Sequence, residues 1–220
     1  SLGIARAMHE EFPSLTFDFT AKVEHLLKRA EDLPAFSEAG CLFVISAVES
    51  LSGRVLEILD KQHTRADVEI TLAACRDAGI VMRPTWVAFT PWTTLEDYCE
   101  VLDFVEANDL VDHVDPVQFV IRLLIPPGSW LAEHPETLPH RGDLDEAALT
   151  YRWTHPDSHM DELHKQTIEL VERDALAEED PAVTFERLVE LAHGRDPAAA
   201  VCSLPADRIR PPRLTESWFC

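Results

Sequence analysis

Four times within the first 125 residues, a strand-like run is followed or preceded by a helical one, and that order demands parallel strands. The clearest run, residues 15–23, reads Leu-Thr-Phe-Asp-Phe-Thr-Ala-Lys-Val. Side chains alternate along a strand, so Leu15, Phe17, Phe19, Ala21 and Val23 fall on one face and Thr16, Asp18, Thr20 and Lys22 on the other. Helices would cover the apolar face. The polar face then points into an enclosed space, which in a barrel-like sheet is the lumen. The fold class expected is α/β, a parallel-sheet partial barrel with a helical extension.

The other elements follow from local signals. Residues 2–12 read as a helix stopped at Pro13, and residues 25–39 as a helix broken at Pro34 and ended by Gly40. The continuous apolar run 41–47 suits a buried parallel strand. A short helix spans 51–60. Thr64, with Asp67 three residues on, opens another that ends at Gly79, and Thr94 opens one with Asp97. Strands are expected at 80–87 and 117–125, the latter stopped by Pro126-Pro127-Gly128. Beyond Trp130, Pro, His and acidic residues take over, then two helices at 160–177 and 181–193 and a Pro- and Arg-rich tail expected to pack loosely. The division expected is a partial barrel over 1–131 and an extension over 132–220.

Charge narrows the partners. Forty Asp and Glu against 19 Lys and Arg give a net charge of −21, which repels phosphate backbones and speaks against a nucleic-acid partner. No window of about 18 apolar residues exists, so no membrane partner is expected. Five scattered cysteines without a CxxC spacing fit a reducing, cytoplasmic setting. The first residue is Ser1, in helix-like sequence, and a fragment lacking an upstream part is expected.

In parallel α/β barrels, chemistry gathers at the C-terminal ends of the strands. Lys22, Ser46, Glu49, Thr85 and Arg122 lie near those ends, with Asp18, Arg83 and Gln118 deeper. Several cations in one enclosed space call for carboxylate partners or an anionic ligand. Lys22 with Asp18 also suggests a Schiff-base lyase, which requires an amine in a desolvated pocket. A third reading is a non-catalytic acidic module that binds a basic partner.

Three landmarks in order carry a resemblance. They are Val44-Ile-Ser-Ala-Val-Glu-Ser50 with Arg54-Val-Leu and Asp60-Lys-Gln-His-Thr64, the run 80–97, and Arg122-Leu-Leu-Ile-Pro-Pro-Gly-Ser-Trp-Leu131. Together they resemble strands three to six of the radical S-adenosylmethionine enzymes. Glu216-Ser-Trp-Phe-Cys220 is similar to the approach to the Cys-Cys (or Cys-selenocysteine)-Ala-Glu-Pro tail of one subgroup. The resemblance implies reductive cleavage of S-adenosylmethionine to a 5′-deoxyadenosyl radical at a [4Fe-4S] cluster. The cluster's CxxxCxxC loop is absent here and would lie upstream, so the N-terminal half of the barrel and an electron donor are implied partners. The substrate, a small molecule or peptide, is not specified. By matching position, Ser46, Glu49 and Ser50 would contact the methionine or ribose part of the cofactor. Arg83 would pair with its carboxylate and Lys22 would face it, while Arg122 and Thr85 would face substrate. Cys220 is the one catalytic candidate. His155, His159 and His164 beside Asp157, Asp161 and Glu162 read as a solvated helix start, not a metal site.

Overall fold

The computed structural model describes residues 1–214. Three strands, β1 (Phe17–Ala21), β2 (Cys41–Glu49) and β3 (Val81–Trp86), form a parallel sheet in the order β1-β2-β3. Helix α1 (Leu2–Glu11) precedes β1. The link from β1 to β2 holds α2 (Val23–Lys28) and α3 (Leu33–Glu38), with a 3-10 turn at Ala30–Asp32 between them. The chain therefore breaks before Pro34, which sits in the first turn of α3, where a missing N–H costs nothing. Gly40 then turns into β2 at φ +98°, and a Cβ there would meet the Leu15 carbonyl oxygen at 2.6 Å.

Helices α4 (Gly53–Ile58) and α5 (Arg65–Asp77) lead to β3, and α6 (Leu95–Ala107) follows it. Both α5 and α6 begin with the reciprocal cap expected from sequence. The Thr64 hydroxyl accepts from the Asp67 N–H, while the Asp67 carboxylate accepts from the Thr64 N–H at 2.7 Å; Thr94 and Asp97 repeat the arrangement.

The two faces of the sheet differ as the alternation predicts. Register pairs Phe19 with Val44 and Val44 with Met82, and these join Val48 and Trp86 in the core under the helices. The opposite face carries Asp18, Phe43, Ile45, Arg83 and Thr85.

The expected fourth strand is the main departure. Residues Pro116–Val120 form a 3-10 helix, and only a short extended piece pairs with the sheet's continuation: Phe89 N–H donates to the Ile121 carbonyl at 3.0 Å and Leu123 N–H to the Phe89 carbonyl at 2.8 Å. Pro116 lacks the N–H that a ladder needs and begins a helical turn instead.

A hairpin of β4 (Arg141–Asp145) and β5 (Thr150–Trp153) also forms where the sequence reads as irregular. It is stitched to the sheet side by Tyr151 N–H donating to the Ile125 carbonyl and Trp153 Nε1–H to the Leu123 carbonyl, both at 2.9 Å. Helices α7 (Ser158–Leu176) and α8 (Pro181–Ala192) close the molecule. Phe119 meets Phe185 of α8 at 5.5 Å, and one apolar cluster runs from Val23 to Ala192, so 1–131 and the extension share a core.

Candidate functional site

The C-terminal ends of the strands are built from local backbone irregularity. At the end of β2 the register with β3 shifts between Ala47 and Glu49, a bulge that re-aims the chain. His63 Nε2 lies 3.2 Å from the Val48 carbonyl at that bulge, and burial holds the ring below its ordinary pKa. The next residue, Glu49, sits at φ +69°, a conformation that costs a non-glycine residue about 1 kcal/mol. Its carbonyl accepts from Val87 N–H at 2.9 Å, and its carboxylate pairs with Lys61 at 2.8 Å. The two side chains are 17% and 21% exposed, so the pair is partly desolvated and open to one side. Ser50 is buried, with its Oγ accepting from Ser52 N–H at 3.1 Å, and it shapes the turn after Glu49.

Lys22 lies just past β1 as the N-cap of α2. Its side chain is 61% exposed, 3.8 Å from Glu24. Thr85 stands on the same face as Arg83, one residue before the end of β3. These four residues sit at or near the same end of the sheet.

Arg83 belongs elsewhere. Its guanidinium reaches Asp115 at 3.1 Å and the carbonyls of Asp112 and Pro212 at 3.4 Å. Asp112 and Asp115 precede the extended piece that runs parallel to β3, so they mark the N-terminal end of the sheet. Register places Arg83 opposite Ile45 and Trp86 opposite Glu49, a separation of three residues or about 10 Å along β3. Lys22, Glu49 and Arg83 therefore do not share one cavity.

Two further expectations are corrected. Ser46 pairs in register with Ala21 and Pro84 on the helix-covered face and is fully buried; its hydroxyl finds no hydrogen-bond partner among the described residues. The strand's period of two put it on the core side. Arg122, expected to face substrate, is engaged within the fold. It donates to Asp161 at 2.8 Å and to the Trp153 carbonyl at 2.8 Å, and lies 3.6 Å over the Trp153 ring. It staples β5 and α7 to the sheet. Cys220 and the tail Glu216–Cys220 lie outside the described residues.

Lys61 is the site residue that reasoning from the sequence passed over, although its Lys-x-x-Thr turn was visible. His113 and Gln118 were carried by the mistaken fourth strand and the stretch before it. His113 Nδ1 lies 2.9 Å from the Met82 carbonyl, and burial lowers the pKa of its ring. Of the histidines beside α7, His155 Nε2 meets the Thr93 carbonyl at 3.0 Å and His164 Nε2 the Val120 carbonyl at 3.1 Å. Among the described residues no group of three or more His, Cys, Asp or Glu side chains is placed to hold a metal. Burial pushes the Cys41 thiol up to about 12 and Cys75 to about 11, so neither offers a thiolate. The four described cysteines do not fit an iron–sulfur cluster.

No family model and no curated protein matches the sequence. Solved structures do match its shape. The cobalamin-dependent S-adenosylmethionine radical enzyme OxsB with aqua-cobalamin bound superposes with a TM-score of 0.67 at 15% identity, covering 84% of this chain and 32% of that one. The same enzyme with aqua-cobalamin and S-adenosylmethionine gives the same values, and its apo form a TM-score of 0.66. The chain thus spans about a third of the protein it matches. The likeness is one of fold.

Proposed function

We propose that the chain is the C-terminal part of a radical S-adenosylmethionine enzyme, with Glu49 at the centre of the cofactor end of its sheet. The observation that carries this reading is a carboxylate held in left-handed backbone at the bulged end of the central strand, in a fold similar to such an enzyme. When bound, S-adenosylmethionine supplies hydrogen-abstracting radical chemistry. This chain's own part is to hold it: Glu49 offers a carboxylate to the cofactor's ammonium group, Lys61 orients that carboxylate, Ser50 sets the turn, and Thr85 and Lys22 border the opening.

The cluster belongs to an upstream half of the barrel, since the four described cysteines do not fit it. The edge of the sheet supports that partner. β1 pairs on one side with β2, and its other side borders a hollow of about 820 Å³ against α1. A further parallel strand added there would continue the sheet. The lyase reading is disfavoured because the Lys22 amine lies in water rather than in a dry pocket.

The test is S-adenosylmethionine binding to the protein encoded together with its upstream region, measured by equilibrium dialysis. Glu49→Gln is expected to weaken binding at least tenfold. Unchanged affinity would remove Glu49 from the site; absence of any binding would remove the cofactor.

A further inference from the structure

The molecule as a whole is strongly acidic, yet one neighbourhood reverses the sign. At the N-terminal end of the sheet, ion pairs tie Arg83, Arg208, Arg210 and Arg213 to Asp112, Asp115 and Asp180. Among the described residues, four cations meet three anions. The surplus falls on Arg83, whose side chain is 7% exposed. Its one carboxylate, Asp115, is half exposed and is shared with Arg213 at 3.7 Å. A buried cation with half a partner is costly, and a fork of five N–H groups has donors left over.

Beside that guanidinium lies a cavity of about 60 Å³. Phe43 and Ile45 form its apolar floor, and the Thr85 hydroxyl and Gln118 amide its polar side. Gln118 Oε1 accepts from Trp86 N–H at 3.1 Å, which leaves its NH₂ group to donate. Pro84, His113 and Asp115 also line it, and the chain's own tail completes the wall. Arg208 grips Asp112 through two bonds of 2.6 and 2.7 Å and Asp180 at 2.8 Å, Arg210 adds Asp180 at 2.9 Å, and Leu214 then lines the cavity.

We propose that this cavity is a subsite for a small carboxylate, clamped by the Arg83 fork with the Gln118 amide and Thr85 hydroxyl, and lidded by the strap of residues 208–214. The class follows from three matches. One surplus positive charge suits a monoanion. A planar two-oxygen group fits a guanidinium side by side. A small monocarboxylate such as formate or acetate is of a size to enter a cavity of about 60 Å³. The subsite runs along β3 from Arg83 to Thr85, beside the Glu49 end of the sheet, and neither Glu49 nor Lys61 lines it.

The experiment titrates ¹³C-formate and ¹³C-acetate into the full chain at constant ionic strength, with chloride as the exchanged ion, and follows carbon line widths. Saturable broadening is expected, together with slower tryptic cleavage at Arg208 and Arg213 as the lid is held down. Arg213→Ala, at a half-exposed position, is expected to weaken binding about tenfold by removing the surplus charge, and Gln118→Leu to weaken it as well. Glu49→Gln is expected to leave it intact. Equal responses to formate and chloride, or wild-type affinity in both Arg213→Ala and Gln118→Leu, would overturn the subsite. Cleavage rates unmoved by a bound carboxylate would overturn the lid.

Discussion

The sheet and the C-terminal extension are held by different forces. Between β2, β3 and their helices the contacts are almost wholly apolar: Val44, Val48, Met82 and Trp86 are buried, and Trp86 meets Phe104 edge to face at 6.3 Å. In the extension, guanidinium–carboxylate pairs recur. Asp174, 2% exposed, accepts from Arg173 of its own helix and from Arg187 of α8, both at 2.8 Å. Arg187 reaches on to Glu179 at 3.1 Å, and Arg208 bridges Asp112 to Asp180. Apolar burial is indifferent to protonation and is not screened by simple salts such as sodium chloride, whereas ion pairs answer to both. The molecule thus has a part whose stability is fixed and a part whose stability is adjustable.

The largest effect should come from the sheet. Trp86→Ala empties a core site and should cost about 3–5 kcal/mol, read from urea unfolding and unchanged between low and high salt. A salt-dependent loss would mean that the core leans on charge after all. Next comes Asp174→Ala, which takes the buried carboxylate from Arg187 and from the exposed Arg173 and should cost about 1–3 kcal/mol. Its pH side sharpens the contrast. Burial pushes the Asp174 carboxyl up, but the bonds from Arg187 and Arg173 outweigh it and the net shift is downward; bonds from Arg208 depress Asp180 strongly. Depressed carboxylates stabilise the fold above their unfolded value near 4, and that stability is lost as pH falls through the folded values. Below about pH 4, amides of α7 and α8 should therefore gain hydrogen exchange before those of β2 and β3; simultaneous loss would erase the distinction. The smallest effect is Thr64→Ala, about 1 kcal/mol from the cap of α5. A larger cost would show that α5 depends on its cap more than on its packing.

What the sequence revealed follows the same division. Caps and periodicity are local, so Thr64–Asp67, Thr94–Asp97 and the two faces of β1 to β3 were legible. The run 117–125 misled because a short apolar stretch fits a strand or a buried turn equally, and Pro116 decided the matter. The hairpin escaped because its turn is closed by Asp145, whose carboxylate accepts from Ala147 and Ala148 N–H at 3.1 Å, with Leu149 at positive φ in place of the usual glycine. Of the site, Glu49 was visible through its landmark and its place at a strand end. Arg83 was placed on the correct face but given the wrong partner. Asp115 lies 32 residues away and Arg213 beyond a hundred, and no local pattern encodes such pairings. Arg122 was misread because its outward direction depends on β5 and α7, which had no expected place over the sheet.

The positive φ of Glu49 has an outcome for anyone engineering this chain. Glycine would settle into that backbone without resistance and recover about 1 kcal/mol, so a search for heat-tolerant variants has reason to select it. Such a winner would melt later and have lost the only charged side chain β2 contributes, a gain in robustness bought with the group most suited to grip a cationic ligand.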